Sequence, residues 1–321
     1  MSAPSLARFG IAVGHSAAVE GATGCTVVRG ISQPHRAACA VIGRATGSRE
    51  LALLAPGHLV ERVDAVLLTG GSAYGLDAAA GVMRWMEERG RGFPVGPGVV
   101  PIVPAAVIFD LLPLGRFAAR PTPQMAYEAC EQASSEHIAE GSVGAGTGAT
   151  VGKIRGAAGA MKGGVGIAIA EGAGCAAAAI AVVNAFGDVR DAHGQIIAGA
   201  RREDGGWVDT VGALAAGAER GGFVAGTNTT LVVVALDCAF SRLDLHAIAQ
   251  SAGEALMRRI TPAGTLSDGD IIFTLAPMDG PTAPRAEGER VARLAVEESI
   301  ERAVRLAEGR DGVPGLADVP R

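Results

Sequence analysis

The segment Gly226-Thr227-Asn228-Thr229-Thr230 runs straight into the apolar stretch Leu231-Val232-Val233-Val234-Ala235-Leu236. A hydroxyl at the head of a buried strand, preceded by Asn and a small-residue turn, is what a self-cleaving hydrolase needs at its cleavage point. The Thr229 hydroxyl could attack the carbonyl of Asn228, convert the amide into an ester and, after hydrolysis, leave Thr229 as a new N-terminus. The freed α-amino group would titrate near about 7.7 to 8.0, so at neutral pH a useful fraction could accept the hydroxyl proton. Taken alone, Asn-Thr-Thr also reads as a polar turn entering a strand.

Several other residues could serve that chemistry. Lys153 lies in a stretch dominated by small and apolar residues, Gly144-Ala-Gly-Thr-Gly-Ala-Thr-Val-Gly-Lys153. Desolvation there would lower its pKa and let the neutral amine share the base role, whereas on a surface it would be an ordinary solvated lysine. Asn184 closes the apolar run Ala177 to Val183 and could donate its amide to a developing oxyanion, or simply cap a turn. Ser267-Asp268-Gly269-Asp270 is a solvated turn by itself. Beside Thr229, its two carboxylates could orient the hydroxyl and hold a cationic amine.

Three tempting patterns fail. The Gly144 to Lys153 stretch has Thr147 where a phosphate loop needs its first glycine, and Ile154 follows the lysine where Ser or Thr belongs. Gly70-Gly71-Ser72-Ala73-Tyr74 approaches a nucleophile elbow but puts Tyr74 in place of the last glycine, and no matching His/Asp order stands out, so a tight turn is expected. Asp188, Asp191 and His193 sit between Gly187 and Gly194, which reads as a hairpin turn rather than a metal site. The five cysteines are an odd number, widely spaced and without a Cys-x-x-Cys pair, as buried apolar residues would be.

The elements that must position these residues follow from apolar periodicity. Gly10 to Val28 and Ala38 to Leu54 read as paired antiparallel strands, and Val63 to Leu68 as a short buried strand. Leu76 to Gly90 reads as a helix, placing Ser72 and Tyr74 at a rim between strand and helix. Arg91 to Ala119 is loop-rich, with a helical stretch around Met125 to Ser134. Strands are expected over Gly163 to Ala170, Ala177 to Asn184, Leu231 to Leu236 and Asp270 to Leu275. Between them, Gly199 to Gly222 reads as an exposed linker. Ser241 and Asp244 form a near capping box for a helix presenting Leu245, Ile248, Ala252 and Leu256 inward. A tail helix over Ala286 to Glu308 is expected to bury Val291, Leu294, Ile300 and Val304. Strands followed by helices within each half point to layered α+β packing rather than a βαβ ladder.

The chain of 321 residues is 49% hydrophobic yet only 4% aromatic, with 47 glycines, so its core must be built by close approach of small side chains and backbones. A net charge of −5 and the lack of a basic stripe interleaved with aromatics argue against nucleic-acid or anionic-membrane partners. Met1 to Gly14 lacks a basic segment followed by an apolar one, and the Ala-rich run Gly174 to Phe186 is too short to cross a bilayer. A soluble, cytoplasmic protein with a small-molecule partner is expected.

Taken in order, Gly10-Ile-Ala-Val-Gly-His15, Gly70-Gly-Ser-Ala-Tyr-Gly-Leu76, Gly144 to Lys153, Val182-Val-Asn184, Asn228-Thr-Thr230 and Asp268-Gly-Asp270 resemble the DmpA-type self-processing peptidases. That family contains L-aminopeptidase/D-esterases, β-peptidyl aminopeptidases and 6-aminohexanoate (nylon) oligomer endohydrolases. The resemblance implies an α+β fold, a four-layer αββα sandwich like that of N-terminal-nucleophile hydrolases. It also implies one self-processing domain, cut into a large chain, 1–228, and a small chain, 229–321, with a homo-oligomer, a tetramer of such αβ heterodimers. Carried over position by position, Thr229 matches the nucleophile, Lys153 the active-site lysine, and Asn184 the oxyanion-side asparagine. Asp268 and Asp270 match the carboxylates near the nucleophile, and Tyr74 a pocket position. The Asn228-Thr229 junction looks like that of the nylon-oligomer hydrolases. The substrate implied is a small peptide-like compound or oligoamide, with no cofactor and no metal. Alternatives are an exo-acting β-aminopeptidase/D-esterase, an acyltransferase of the arginine-biosynthetic type, and an uncleaved scaffold that binds a small molecule in the same pocket.

Overall fold

The computed structural model describes residues 5–218 and 226–318. Nine principal strands form two sheets. They are β1 (Ile11–Ala18), β2 (Thr23–Gly30), β3 (His35–Val41), β4 (Ala65–Thr69), β5 (Ala105–Val107), β6 (Gly164–Glu171), β7 (Ala176–Asn184), β8 (Thr229–Leu236) and β9 (Ile271–Pro277). One sheet has the order β1-β2-β4-β5, closed by the two-residue strand Ser48–Arg49. The other has the order β6-β7-β8-β9-β3, closed by Arg62–Val63.

Among the described residues five α-helices accompany them: α1 (Ala79–Glu87), α2 (Pro123–Gln132), α3 (Thr210–Ala215), α4 (Arg242–Arg259) and α5 (Arg285–Arg305). The strands are apolar on both faces because both faces are covered. Ile11, Val13, Val28, Val66 and Leu68 of the first sheet meet Ile167, Ile180, Val182, Leu231, Val233 and Phe273 of the second. The opposite face of the first sheet, Val27, Leu67 and Ala105, packs on Val82, Met86 and Ala126 of α1 and α2. The opposite face of the second, Ala177, Ala179, Val232 and Val234, packs on Leu245, Ile248, Val291 and Ile300 of α4 and α5. The layers are therefore α, β, β, α, an α+β sandwich as the sequence resemblance implies.

Small residues set the spacing of these layers. A Cβ added at Gly166 of β6 would fall 2.0 Å from the Ser299 carbonyl oxygen and 2.4 Å from the Ala303 nitrogen of α5. The inner stripe of α5 is mostly Ala, Val and Ser: Val291, Ala292, Ala295, Val296, Ser299, Ile300, Ala303 and Val304. At the head of α4, the Ser241 hydroxyl accepts from the Asp244 backbone N–H at 3.1 Å, the expected cap.

The structure departs from the sequence reading in five places. Ala38 to Leu54 is not a hairpin: β3 lies in the second sheet and Ser48–Arg49 in the first. Val63 to Leu68 is split at Asp64, which is buried and accepts the Ile102 N–H at 3.0 Å as the chain crosses between sheets. Leu294 is 46% exposed, because the alanines of α5 take the inner stripe. Both parallel pairs, β4 with β5 and β8 with β9, are bridged by a helix, so the layered fold contains two βαβ crossovers. The expected linker from Gly199 contains α3 and is anchored: Thr210 is buried and its N–H donates to Asp188 Oδ2 at 2.6 Å. Residues 219–222 of it lie outside the described residues.

The Asp188 to His193 segment is the expected hairpin, with Asp191 Oδ1 accepting the N–H groups of His193 and Gln195. All five cysteines are free, four of them buried and Cys39 half-buried. Among the described residues no helix is long and apolar enough to cross a membrane.

Candidate active site

Thr229 opens β8, a central strand flanked by β7 on one side and β9 on the other. The antiparallel register with β7 sets Asn184 directly across from Thr229. On the other side Asn228, one residue before β8, bridges Asp268, three residues before β9, in parallel. The β7–β8–β9 ladder alone therefore gathers Asn184, Thr229 and the Asp268–Asp270 turn, although 84 positions of sequence separate Asn184 from Asp268.

Within this group Thr229 is 4% exposed, and its Oγ1 donates to the Asn228 carbonyl oxygen at 2.6 Å. The same oxygen accepts the backbone N–H of Gly269 at 2.8 Å. A donor in that position polarises the carbonyl and is aimed where negative charge grows when the carbon is attacked. Gly269 is held to glycine by contact: a Cβ there would lie 2.6 Å from Thr229 Oγ1 and 2.9 Å from the Ala45 carbonyl oxygen.

Asp270 turns both oxygens to backbone donors, Thr230 N–H at 2.6 Å and Gly264 N–H at 2.9 Å. Burial, reinforced by the neighbouring Asp268 charge, pushes its carboxyl up to about 7. Asp268 Oδ2 accepts the Thr265 N–H at 2.9 Å. Both carboxylates are therefore tied into the turn that carries Gly269.

Lys153 is 1% exposed. Its Nζ donates to Asn184 Oδ1 at 2.9 Å and to the Asn184 carbonyl oxygen at 3.2 Å. Burial lowers its pKa to about 7, with the charges of Asp268 and Asp110 working against that shift. Near neutral pH the amine thus exists in both protonation states, the condition for a proton carrier. Asn184 also accepts the Thr150 N–H at 3.1 Å, and its Nδ2 donates to the carbonyls of Phe109 at 3.1 Å and Thr227 at 3.4 Å. The amide expected to face an oxyanion is thus turned to the chain segment just before the Asn228–Thr229 bond.

Tyr74 is not drawn into this hydrogen-bonded set. It lies in the 3₁₀ turn Ser72–Ala78, 53% exposed, with the Arg120 guanidinium 3.5 Å from its ring centroid. What the neighbouring glycines contribute is a backbone donor, since the Gly71 N–H binds Asp110 Oδ1 at 2.6 Å. Asp110 escapes the sequence reading. It is fully buried next to Phe109, whose carbonyl holds Asn184, and burial pushes its carboxyl up to about 6. Its one sequence signal is an acidic residue inside the apolar stretch Val103 to Leu114. Gly269 is the second omission, because a backbone donor leaves no side-chain signature.

A hydroxyl on a polarised carbonyl, with a near-neutral buried amine bonded to the asparagine across the strand pair, can transfer an acyl group from nitrogen to oxygen. A cleft of about 770 Å³ is lined by Pro113, Leu114, Ala157 and Arg310 rather than by Thr229.

Comparison with known proteins bears on this chemistry. The model of peptidase family S58 matches residues 9–315. A Mycobacterium tuberculosis protein named as an uncharacterized aminopeptidase is 43% identical over 272 residues, 83% of this chain and 76% of that protein. A 6-aminohexanoate-oligomer endohydrolase of Kocuria sp. is 29% identical over 306 residues, 88% of this chain and 78% of that protein. Among solved structures, the L-aminopeptidase D-Ala-esterase/amidase of Ochrobactrum anthropi, described as a variant of the Ntn hydrolase fold, superposes with a TM-score of 0.69. It is 21% identical, and the match covers 95% of this chain and 86% of that one.

Proposed function

The chain belongs to peptidase family S58, an amide-bond hydrolase, and on that premise we propose that it matures by cutting its own Asn228–Thr229 bond and then hydrolyses amides through an acyl ester on Thr229. The observation that carries this reading is the Thr229 hydroxyl 2.6 Å from a carbonyl oxygen that already accepts the Gly269 N–H.

In maturation, Oγ1 of Thr229 attacks the Asn228 carbonyl carbon while neutral Lys153 takes its proton. The Gly269 N–H steadies the oxyanion, the C–N bond breaks, and the departing nitrogen takes up a proton to become the Thr229 amine. Water then hydrolyses the ester, leaving a carboxyl at Asn228 and the free hydroxyl of Thr229. Turnover repeats the sequence on a substrate amide, with Lys153 or the new amine as base. The Thr227–Asn228 segment, whose carbonyls are held by Asn184 and Gly269, is on this reading the first occupant of the acyl position. Asp268 and Asp270 hold the Gly269 turn and stand ready to pair with the new amine.

The substrates are peptide-like or ω-amino-acid amides, with 6-aminohexanoate oligomers as one candidate class, on the strength of the Asn-Thr junction and the Kocuria relative. The higher identity to an aminopeptidase supports a second reading, exo cleavage of β-amino-acid or D-amino-acid derivatives. The products 1–228 and 229–321 assemble as αβ units of a homo-oligomer.

Denaturing intact-mass analysis tests the cut: wild type gives two chains, the smaller starting at Thr229, and Thr229→Ala gives one. Wild-type turnover by Thr229→Ala would end the nucleophile assignment. A free and an N-acetylated β-amino amide, assayed beside a 6-aminohexanoate oligomer, separate exo from endo action.

A further inference from the structure

The β7–β8 pair that brings Asn184 to Thr229 at one end brings two thiols together at the other. The register runs to Ala177 opposite Leu236, and the Asp237 N–H donates to the Ala176 carbonyl at 3.3 Å. Just beyond the paired stretch, Cys175 directly precedes β7 and Cys238 follows β8 by two residues. The two Sγ atoms and an Asp237 carboxylate oxygen all lie within 4.8 Å of one another. Both cysteines are 3% exposed, and Cys175 follows directly on the exposed Ala173 and Gly174.

A metal is a poor fit for this trio. Asp237 Oδ2 pairs with Arg8 Nη2 at 2.6 Å, and Oδ1 accepts the Ala176 N–H at 2.7 Å, so its carboxylate is fully engaged. The thiols act as donors, Cys238 to the Gly174 carbonyl at 3.1 Å and Cys175 to that of Ala176 at 3.7 Å. Burial holds both thiols above their usual pKa, which favours S–H over thiolate ligands and makes any oxidation slow.

We propose that Cys175 and Cys238 form a cross-strand disulfide when the protein meets a two-electron thiol oxidant such as hydrogen peroxide. One thiol is oxidised to a sulfenic acid as peroxide is reduced and one water leaves. The second sulfur attacks the first, the S–O bond breaks, and a second water carries away the remaining oxygen and hydrogens. If Thr229 is the cleavage point proposed above, Cys175 belongs to the large chain and Cys238 to the small one, and the bond ties them covalently. The candidate active site, at the far end of strands some 30 Å long, is left untouched.

The test is peptide mapping of the full chain, reduced or peroxide-treated, after blocking free thiols under denaturing conditions. The expected result is a Cys175–Cys238 cross-linked peptide, lighter by two hydrogens than its parts, reversed by dithiothreitol, and absent from both Cys238→Ser and Cys175→Ser. Cys25 should stay free. In a cut sample the two chains then co-migrate without reductant. In an uncut sample the same cross-linked peptide appears within one chain, so the disulfide is judged independently of the cleavage. Recovery of both residues as free thiols, their appearance as separate sulfinic acids, or stoichiometric zinc retained by the untreated protein and lost in Cys238→Ser overturns the proposal.

Discussion

Lys153 and Lys162 lie nine residues apart, each 1% exposed, and burial lowers each to about 7. Their partners differ. Lys162 gives its ammonium to three backbone carbonyls, Gly146 at 3.2 Å, Thr147 at 3.0 Å and Ala149 at 2.8 Å. It fastens the glycine-rich turn like a rivet. Lys153 donates to Asn184, across the strand pair from Thr229, and lies within the fields of Asp268 and Asp110. A shifted acidity therefore does not by itself mark a proton carrier. The surroundings do: the carbonyls on Lys162 belong to a glycine-rich turn, whereas the asparagine on Lys153 is the residue paired with Thr229.

The comparison breaks most readily with Lys153→Met. It should slow hydrolysis by about 10²- to 10⁴-fold and stall maturation while the melting temperature stays near wild type. Equal losses of activity and of fold in Lys153→Met and Lys162→Met would erase the distinction between the two. Next in size is Gly269→Ala, whose methyl would strike Thr229 Oγ1. Both chain cutting and kcat should fall by about 10²- to 10³-fold, the usual cost of a lost oxyanion donor. Unchanged cutting rates by time-resolved mass analysis would remove Gly269 from the mechanism.

Lys162→Met sharpens the contrast from the other side. It takes a donor from three buried carbonyls, of which Gly146 and Ala149 keep backbone N–H partners and Thr147 loses its own, at a cost of about 1 to 3 kcal/mol read as a lower denaturant midpoint, and leaves kcat of the folded fraction nearly intact. The last test is pH dependence. Each lysine has its folded pKa below its unfolded one, so between about pH 7 and 10 the unfolded chain holds a proton that the native chain has shed. Stability should rise with pH over that window by up to about 1.4 kcal/mol per pH unit for each lysine. Either Met variant should reduce that slope, but only Lys153→Met should abolish an activity inflection near pH 7.

The sequence already exposed one side of this contrast. Lys153, the Asn228–Thr229 junction and the strands around Asn184 and Ile271 are legible because small and apolar neighbours announce burial and strand spacing announces register. Lys162 sits in the same kind of setting, yet what separates the two is a set of backbone carbonyls, which carry no sequence signature. Asp110 was hidden for a related reason: the proline-rich stretch from Arg91 reads as loop, although Ala105–Val107 is a buried strand that delivers the residue next to Asn184. Tyr74 shows the converse, since a motif in the right order can present its backbone and turn its side chain to a surface arginine. On α5, helical spacing alone favoured Leu294, but the face against the sheet admits only small or β-branched side chains, and leucine went outside.

That close contact of α5 with β6 also constrains how the sequence can drift. In most cores the damaging changes remove volume, because they leave a hole. Where Gly166 meets Ser299 and Ala303 there is little volume to remove, and a single added methyl must force helix and sheet apart. The substitution usually regarded as mildest, glycine to alanine, becomes one of the most severe. Random mutagenesis of this layer should therefore return survivors that shrink or preserve side chains, with enlarged residues appearing only beside a compensating reduction on the facing element.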